Sequence, residues 1–140
     1  MRKLKLVAMI AISAALLVGC AASATPGTGT TVNVNLTDNM RLSVDRTSVP
    51  AGLVTFVVKN SGLLEHELVV IKTDVAEDKL APDTSEPGKM DEAGNLGETG
   101  DMLAGASNTF TVTLPAGHYV LMCNEVGHYA GGMHLAFTVK

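Results

Sequence analysis

From Thr31 onward, apolar and polar residues alternate with a period of two, the pattern of strands with one buried face. T-V-N-V-N-L-T (31–37) alternates without a break, and L-S-V (42–44) follows a turn near Asp38-Asn39. S-V-P-A-G then reads as a Pro-Gly turn. In L-V-T-F-V-V-K (53–59), Val54, Phe56 and Val58 share one face. A further strand is predicted from near His66 to about Lys72, through the apolar run L-V-V-I. T-F-T-V-T-L (109–114), a tight turn at Pro115-Ala116-Gly117, H-Y-V-L-M-C (118–123) and L-A-F-T-V (135–139) complete the series. About seven or eight short strands predict an all-β chain, a Greek-key β-sandwich. No internal repeat is present.

The interval 73–107 interrupts this rhythm. It holds nine of the fourteen acidic residues of the 140-residue chain. Val75–Leu80 is predicted to form a helical turn or two, and Pro82–Gly100 to be loop. The interval reads as a long acidic insertion, solvated on the rim of the sandwich. Its Met90 and Met102 read as packing residues, not ligands.

The N-terminus has a different pattern. Arg2, Lys3 and Lys5 precede an apolar run from Leu6 to Val18, the layout of a secretion signal. The run is short for a membrane-spanning helix. It ends Leu17-Val18-Gly19-Cys20, which resembles a bacterial lipoprotein cleavage box. Residues 1–19 are therefore expected to be a signal peptide, Cys20 the lipid attachment site, 20–30 a lipidated tether, and 31–140 the folded domain. Lipid on Cys20 places the protein at a cell-envelope membrane, facing the periplasm or the exterior, without a spanning helix. Removing residues 1–19 takes away three of the ten basic residues and no acidic one, leaving seven against fourteen, a formal charge of −7. That charge excludes nucleic acid as a partner.

Cysteine usage sharpens the chemistry. The chain has two Cys. With Cys20 consumed by lipid, Cys123 is alone in an exported protein, where cysteines normally pair. A metal bond is a reason to keep it. Cys123, His128 and Met133 stand as C-x4-H-x4-M in C-N-E-V-G-H-Y-A-G-G-M. A thiolate, an imidazole and a thioether select copper over hard cations, and a second His completes a blue-copper set. His66, His118 and His134 are available. His66 is the best candidate, entering an apolar run just after the turn Asn60-Ser61-Gly62.

These residues resemble the cupredoxin family, type 1 blue copper proteins. N-S-G-L-L-E-H is similar to the first-ligand loop, L-P-A-G-H-Y-V-L-M-C to the strand that delivers Cys, and G-M-H-L-A-F-T-V to the last strand. The four-residue gaps on both sides of His128 resemble the rusticyanin and sulfocyanin branch more than plastocyanin. The resemblance implies one copper ion held by His66, Cys123, His128 and Met133, with Met133 preferred over the adjacent His134. It implies that the residue after the first His, here Glu67, ties its strand to the residue after Cys, here Asn124. Glu67 replaces the usual Asn, and an ionised carboxylate there is expected to accept a hydrogen bond from Asn124. The implied function is a membrane-tethered electron carrier exchanging electrons with redox protein partners. The alternative is a copper carrier or buffer in copper homeostasis, without a redox circuit. Catalysis is not expected: multicopper oxidases need His-x-His motifs and a binuclear copper centre needs two loop cysteines, and the chain has neither.

Overall fold

The computed structural model describes residues 29–140. Nine strands run in chain order: β1 (Thr30–Thr37), β2 (Arg41–Val44), β3 (Ser48–Val49), β4 (Gly52–Asn60), β5 (Val69–Lys72), β6 (Asn95–Glu98), β7 (Ser107–Leu114), β8 (Gly117–Met122) and β9 (His134–Val139). They form two sheets, ordered β2-β1-β4-β7 and β3-β9-β8-β5-β6. Pairing is antiparallel except for β1 with β4 and β3 with β9, which are parallel. No described residue is helical, and no helix among them is long and apolar enough to cross a membrane. The expected β-sandwich is thus present. Its first strand begins at Thr30, the last residue assigned to the tether. The predicted signal peptide, Cys20 and the tether up to Thr28 lie outside the described residues.

Alternation fixes which faces meet. Val32, Val34 and Leu36 of β1 and Val54, Phe56 and Val58 of β4 turn inward. They pack with Tyr119, Leu121, Phe137 and Val139 of the second sheet in one core that also contains Cys123 and Met133. β5 and β8 do not alternate. Val69, Val70 and Ile71, and Tyr119 through Met122, are all buried. Such continuous runs belong to strands covered on both faces. Here the second cover is the acidic interval: Val69, Ile71, Val120, Met122 and Tyr129 form a second cluster, with Leu80 and Met90 of the interval packed against it.

This revises the reading of 73–107 as a solvated insertion. Most of its charged residues are exposed, while Glu92 meets Asn124 and Leu80 and Met90 pack inward; it also supplies β6, which pairs antiparallel with β5. Two further details differ from expectation. Val75–Leu80 forms no helix, only a turn in which Lys79 N–H donates to the Ala76 carbonyl at 2.9 Å. Ser48–Val49, placed in a turn by its Pro-Gly sequel, is a short strand beside β9.

Candidate metal centre

Two chain segments at one end of the sandwich carry the donor atoms. The first follows β4. Asn60, fully buried at the strand's end, donates from Nδ2 to the carbonyls of Leu64 (2.8 Å), Met102 (2.8 Å) and Leu103 (3.2 Å). Its Oδ1 accepts from Gly62 N–H at 2.9 Å. The loop 61–65 is thereby closed on itself. His66 then pairs with Met102 through both backbone bonds, His66 N–H to Met102 O (3.2 Å) and Met102 N–H to His66 O (2.8 Å). Met102 is a packing residue, as expected, and its backbone holds His66 in an isolated bridge; the strand expected from near His66 begins only at Val69.

The second segment is the connection from β8 to β9. Cys123 N–H donates to the Met133 carbonyl at 3.0 Å, so the loop's two ends are tied together. Inside it, His128 N–H donates to Glu125 O (2.9 Å), Gly131 N–H to Gly127 O (3.0 Å) and Met133 N–H to His128 O (3.1 Å). Gly132, at φ 101, supplies the left-handed residue that turns the chain into Met133.

The two segments bring His66, Cys123 and His128 together, with one ligand atom of each within 4.8 Å of the others. His66 Nδ1 and His128 Nδ1 are 3.2 Å apart, and they lie 3.9 and 3.4 Å from Cys123 Sγ. Donors arranged in a plane around one ion, at bond lengths of about 2.0–2.3 Å, stand about 3.5–3.7 Å from one another. The spacing therefore fits a single soft-metal ion, and the nitrogen and sulfur donors fit copper rather than calcium or magnesium. Met133 is fully buried in the same core cluster as Cys123.

In the absence of a cation, burial opposes the Cys123 thiolate and pushes the thiol up to about 11, partly offset by backbone N–H groups of Glu67 and Glu125 that favour the thiolate. The Glu67 N–H lies 3.4 Å from Sγ. Burial, then the neighbouring His66, lowers the His128 pKa. The imidazole is kept neutral, the form that binds metals.

The remaining candidates separate cleanly. His118 is exposed at the start of β8, five residues of extended strand from Cys123, roughly 16 Å. His134 lies tilted against the Tyr129 ring at a centroid distance of 4.7 Å and is not among the converging donors. Tyr129, beside His128 in the sequence, is buried. Its hydroxyl donates to Glu77 O (2.7 Å) and accepts from Leu80 N–H (2.9 Å), tying the ligand loop to the acidic interval.

The expected Glu67–Asn124 bond is not formed. Asn124 instead accepts from Met90 N–H (2.7 Å) and donates to Met90 O (3.0 Å) and Glu92 Oε1 (2.8 Å). Glu67 is buried, and burial followed by the like charges of Glu92, Glu125 and Asp101 raises its pKa to about 7. A permanently ionised Glu67 is therefore not what this site holds. The tie between the two segments is the Glu67 backbone N–H on Cys123 Sγ, an interaction independent of the side chain at 67.

Sequence reasoning overlooked Asn60 and Asp38. Both sit in segments rich in Asn, Asp, Ser and Gly, where turn chemistry is reason enough for a polar residue. Asp38 Oδ1 lies 3.1 Å from His66 Nε2. Its carboxyl is held below the usual carboxylate range, first by the N–H groups of Leu63 and Leu64.

Comparison with known proteins follows the same lines. The sulfocyanin (SoxE) domain family matches residues 7–140. Among solved structures, dithionite-reduced auracyanin from Roseiflexus castenholzii is similar at 29% identity and a TM-score of 0.62, over 81% of this chain and 99% of that one. Auracyanin A of Chloroflexus aurantiacus, a "blue" copper protein, matches at 23% identity and a TM-score of 0.61, over 81% and 100% of the two chains. Reduced rusticyanin matches at 20% identity and a TM-score of 0.60, over 81% of each. These last two support the fold alone. A comparison with curated protein sequences found no match. The protein belongs to the sulfocyanin domain family, cupredoxins whose cofactor is one type 1 copper ion.

Proposed function

We propose that His66, Cys123, His128 and Met133 hold the copper ion, and that the protein is a membrane-tethered electron carrier of the bacterial cell envelope. The observation that carries this reading is the spacing of 3.2, 3.4 and 3.9 Å among His66 Nδ1, His128 Nδ1 and Cys123 Sγ. Copper bound there supplies a one-electron couple. Cys123 provides a covalent route into β8, and half-buried His128 is the donor that reaches the surface. His66, Cys123 and Met133 have no exposed surface, which keeps water and chelators out. That burial favours a resident cofactor over the copper-buffer reading, which needs ligands that exchange.

A protein partner suits the same end of the molecule. Leu63, Leu64, Leu103 and Val126 are exposed by 86, 46, 69 and 63% and lie in the segments flanking His66, Met102 and His128. Redox proteins are the partner class, and no catalytic role is assigned. Export and lipidation at Cys20 rest on the basic-apolar-L-V-G-C layout of the N-terminus.

The test is copper loading of the full chain. An intense blue thiolate–copper band with a type 1 electron paramagnetic spectrum, bleached and restored over repeated redox cycles, is expected. A weak, non-thiolate copper spectrum, or rapid loss of copper to a chelator, overturns the carrier reading. Mass spectrometry of membrane-extracted protein should find acylated Cys20 as the first residue, and a soluble, unlipidated form beginning elsewhere refutes the tether.

A further inference from the structure

The tip of the β1–β2 hairpin, Asp38-Asn39-Met40, reaches both donor-bearing segments. Met40, at φ 55, packs so tightly against the ligand loop that a Cβ on Gly131 would come within 2.9 Å of its Cγ. Asp38 is more closely engaged. Its Oδ2 accepts from Leu63 N–H at 2.7 Å. Its Oδ1 accepts from Leu64 N–H at 3.1 Å and lies 3.1 Å from His66 Nε2. Gly62 leaves room for this carboxylate, because a Cβ there would overlap it. Three contacts and a fitted space hold the group in one place.

An ionised carboxylate has no proton to give. The hydrogen between Asp38 Oδ1 and His66 Nε2 therefore belongs to the imidazole. A neutral ring with its proton on Nε2 has a bare Nδ1, and Nδ1 is the atom that faces Cys123 Sγ and His128 Nδ1. The other tautomer would leave the buried Nε2 lone pair against a carboxylate and aim a proton at the donor cluster.

We propose that Asp38 is a positioning residue of the copper site, whose carboxylate fixes His66 in the Nε2–H tautomer and holds Nδ1 toward the metal position. The inference rests on His66 being a copper ligand. A carboxylate behind a ligating imidazole also raises the basicity of the opposite nitrogen, and loss of such a partner typically costs about 10–100-fold in metal affinity.

Long-range proton–nitrogen correlation spectra of the ¹⁵N-histidine-labelled, metal-free full chain, at alkaline pH, read the tautomer directly. His66 is expected to show a protonated Nε2 and a bare Nδ1; a protonated Nδ1 in the wild type overturns the proposal without any variant. Asp38→Leu is expected to populate both tautomers and weaken Cu(II) binding about 10–100-fold. Asp38→Asn, which keeps an acceptor oxygen facing Nε2, is expected to keep the tautomer and recover most of the affinity while raising the reduction potential. A folded Asp38→Leu with unchanged tautomer, or with affinity within about twofold of wild type, assigns Asp38 to loop structure alone. If Asp38→Leu does not fold, an Asp38→Asn potential equal to wild type is the overturning result. His66→Ala tests the underlying assignment separately: an unchanged blue spectrum removes His66 as a ligand, whatever its tautomer.

Discussion

The two sheets have outer faces of opposite character. On the β2-β1-β4-β7 sheet the outward residues meet water: Asn33 and Lys59 are exposed, as are Leu53 and Val57 by 50 and 37%, and Thr55 and Thr111 pair their hydroxyls at 2.8 Å. On the other sheet Val69, Ile71, Val120 and Met122 point the same way and have at most 1% exposure. The acidic interval makes the difference, and the difference is functional. It turns one outer face into a second core and ends against the ligand loop, through Tyr129, through Asn124 and through Gly127 N–H on Gly88 O at 2.9 Å. Both sheets lead into the metal centre, the first through Asn60 and Asp38 at the ends of its strands, but only the second has an outer face whose cover also grips the ligand loop.

Deleting Pro82–Gly100 strips the cover from the outer face of β5 and β8. It removes β6, Met90 and the partners of Asn124, and it uncovers four apolar side chains. At about 1.5–3 kcal/mol for each such side chain, the loss rivals the whole stability of a typical domain, about 5–15 kcal/mol. The expected outcome is loss of cooperative thermal unfolding and of the copper site together. A truncated chain that melts cooperatively and still takes up copper would return the interval to the status of a rim insertion.

Single substitutions act more locally. Tyr129→Phe leaves Glu77 O and Leu80 N–H without their partner, and Asn124→Ala frees both backbone groups of Met90. Each is expected to cost about 1–3 kcal/mol, read from urea unfolding of the metal-free protein, with faster copper release in Asn124→Ala. Thr55→Val, on the bare face, is expected to stay within about 0.5 kcal/mol. Equal costs on both faces would mean that the interval lies on the sheet without holding the loop.

The same contrast governs what the sequence disclosed. The bare-faced sheet was legible because water enforces alternation: T-V-N-V-N-L-T names its own inner face. The run V-V-I and the stretch Tyr119–Met122 announced strands but not what covered their second side. The cover itself was illegible, since N-L-G-E has little strand character and nine acids read as solvated. β6 is held by its pairing with β5 and by Gly97 lying so close to Phe110 that a Cβ would be 3.0 Å from its ring. The donors were legible because a thiol, an imidazole and a thioether at regular spacing together suit little besides a soft metal ion. Asp38 was not, because nothing local in a turn reports a contact made 28 residues later.

Glu67 gives the smallest and most conditional effect, and it sits where the acidic interval meets the site. Its carboxyl titrates near 7 in the folded chain against an ordinary value of 4.5, because burial and then Glu92, Glu125 and Asp101 oppose its charge. A folded-state pKa above the unfolded one means that, between these values, folding takes up a proton. The contribution to stability is complete below about pH 4.5 and is lost as pH rises through about 7. Glu67→Gln keeps the shape and never acquires the charge. In metal-free protein its stability relative to wild type is expected to be near zero below pH 4.5 and to rise to about 1–2 kcal/mol at and above neutral pH, discounted for solvent screening. The effect depends on the acidic interval, since Glu92 is one of the opposing charges: Glu92→Gln should lower the midpoint of that rise. Urea unfolding at a series of pH values measures both. A difference between Glu67→Gln and wild type that does not vary with pH would put the carboxyl in water and remove Glu67 from the wall between the acidic interval and the site.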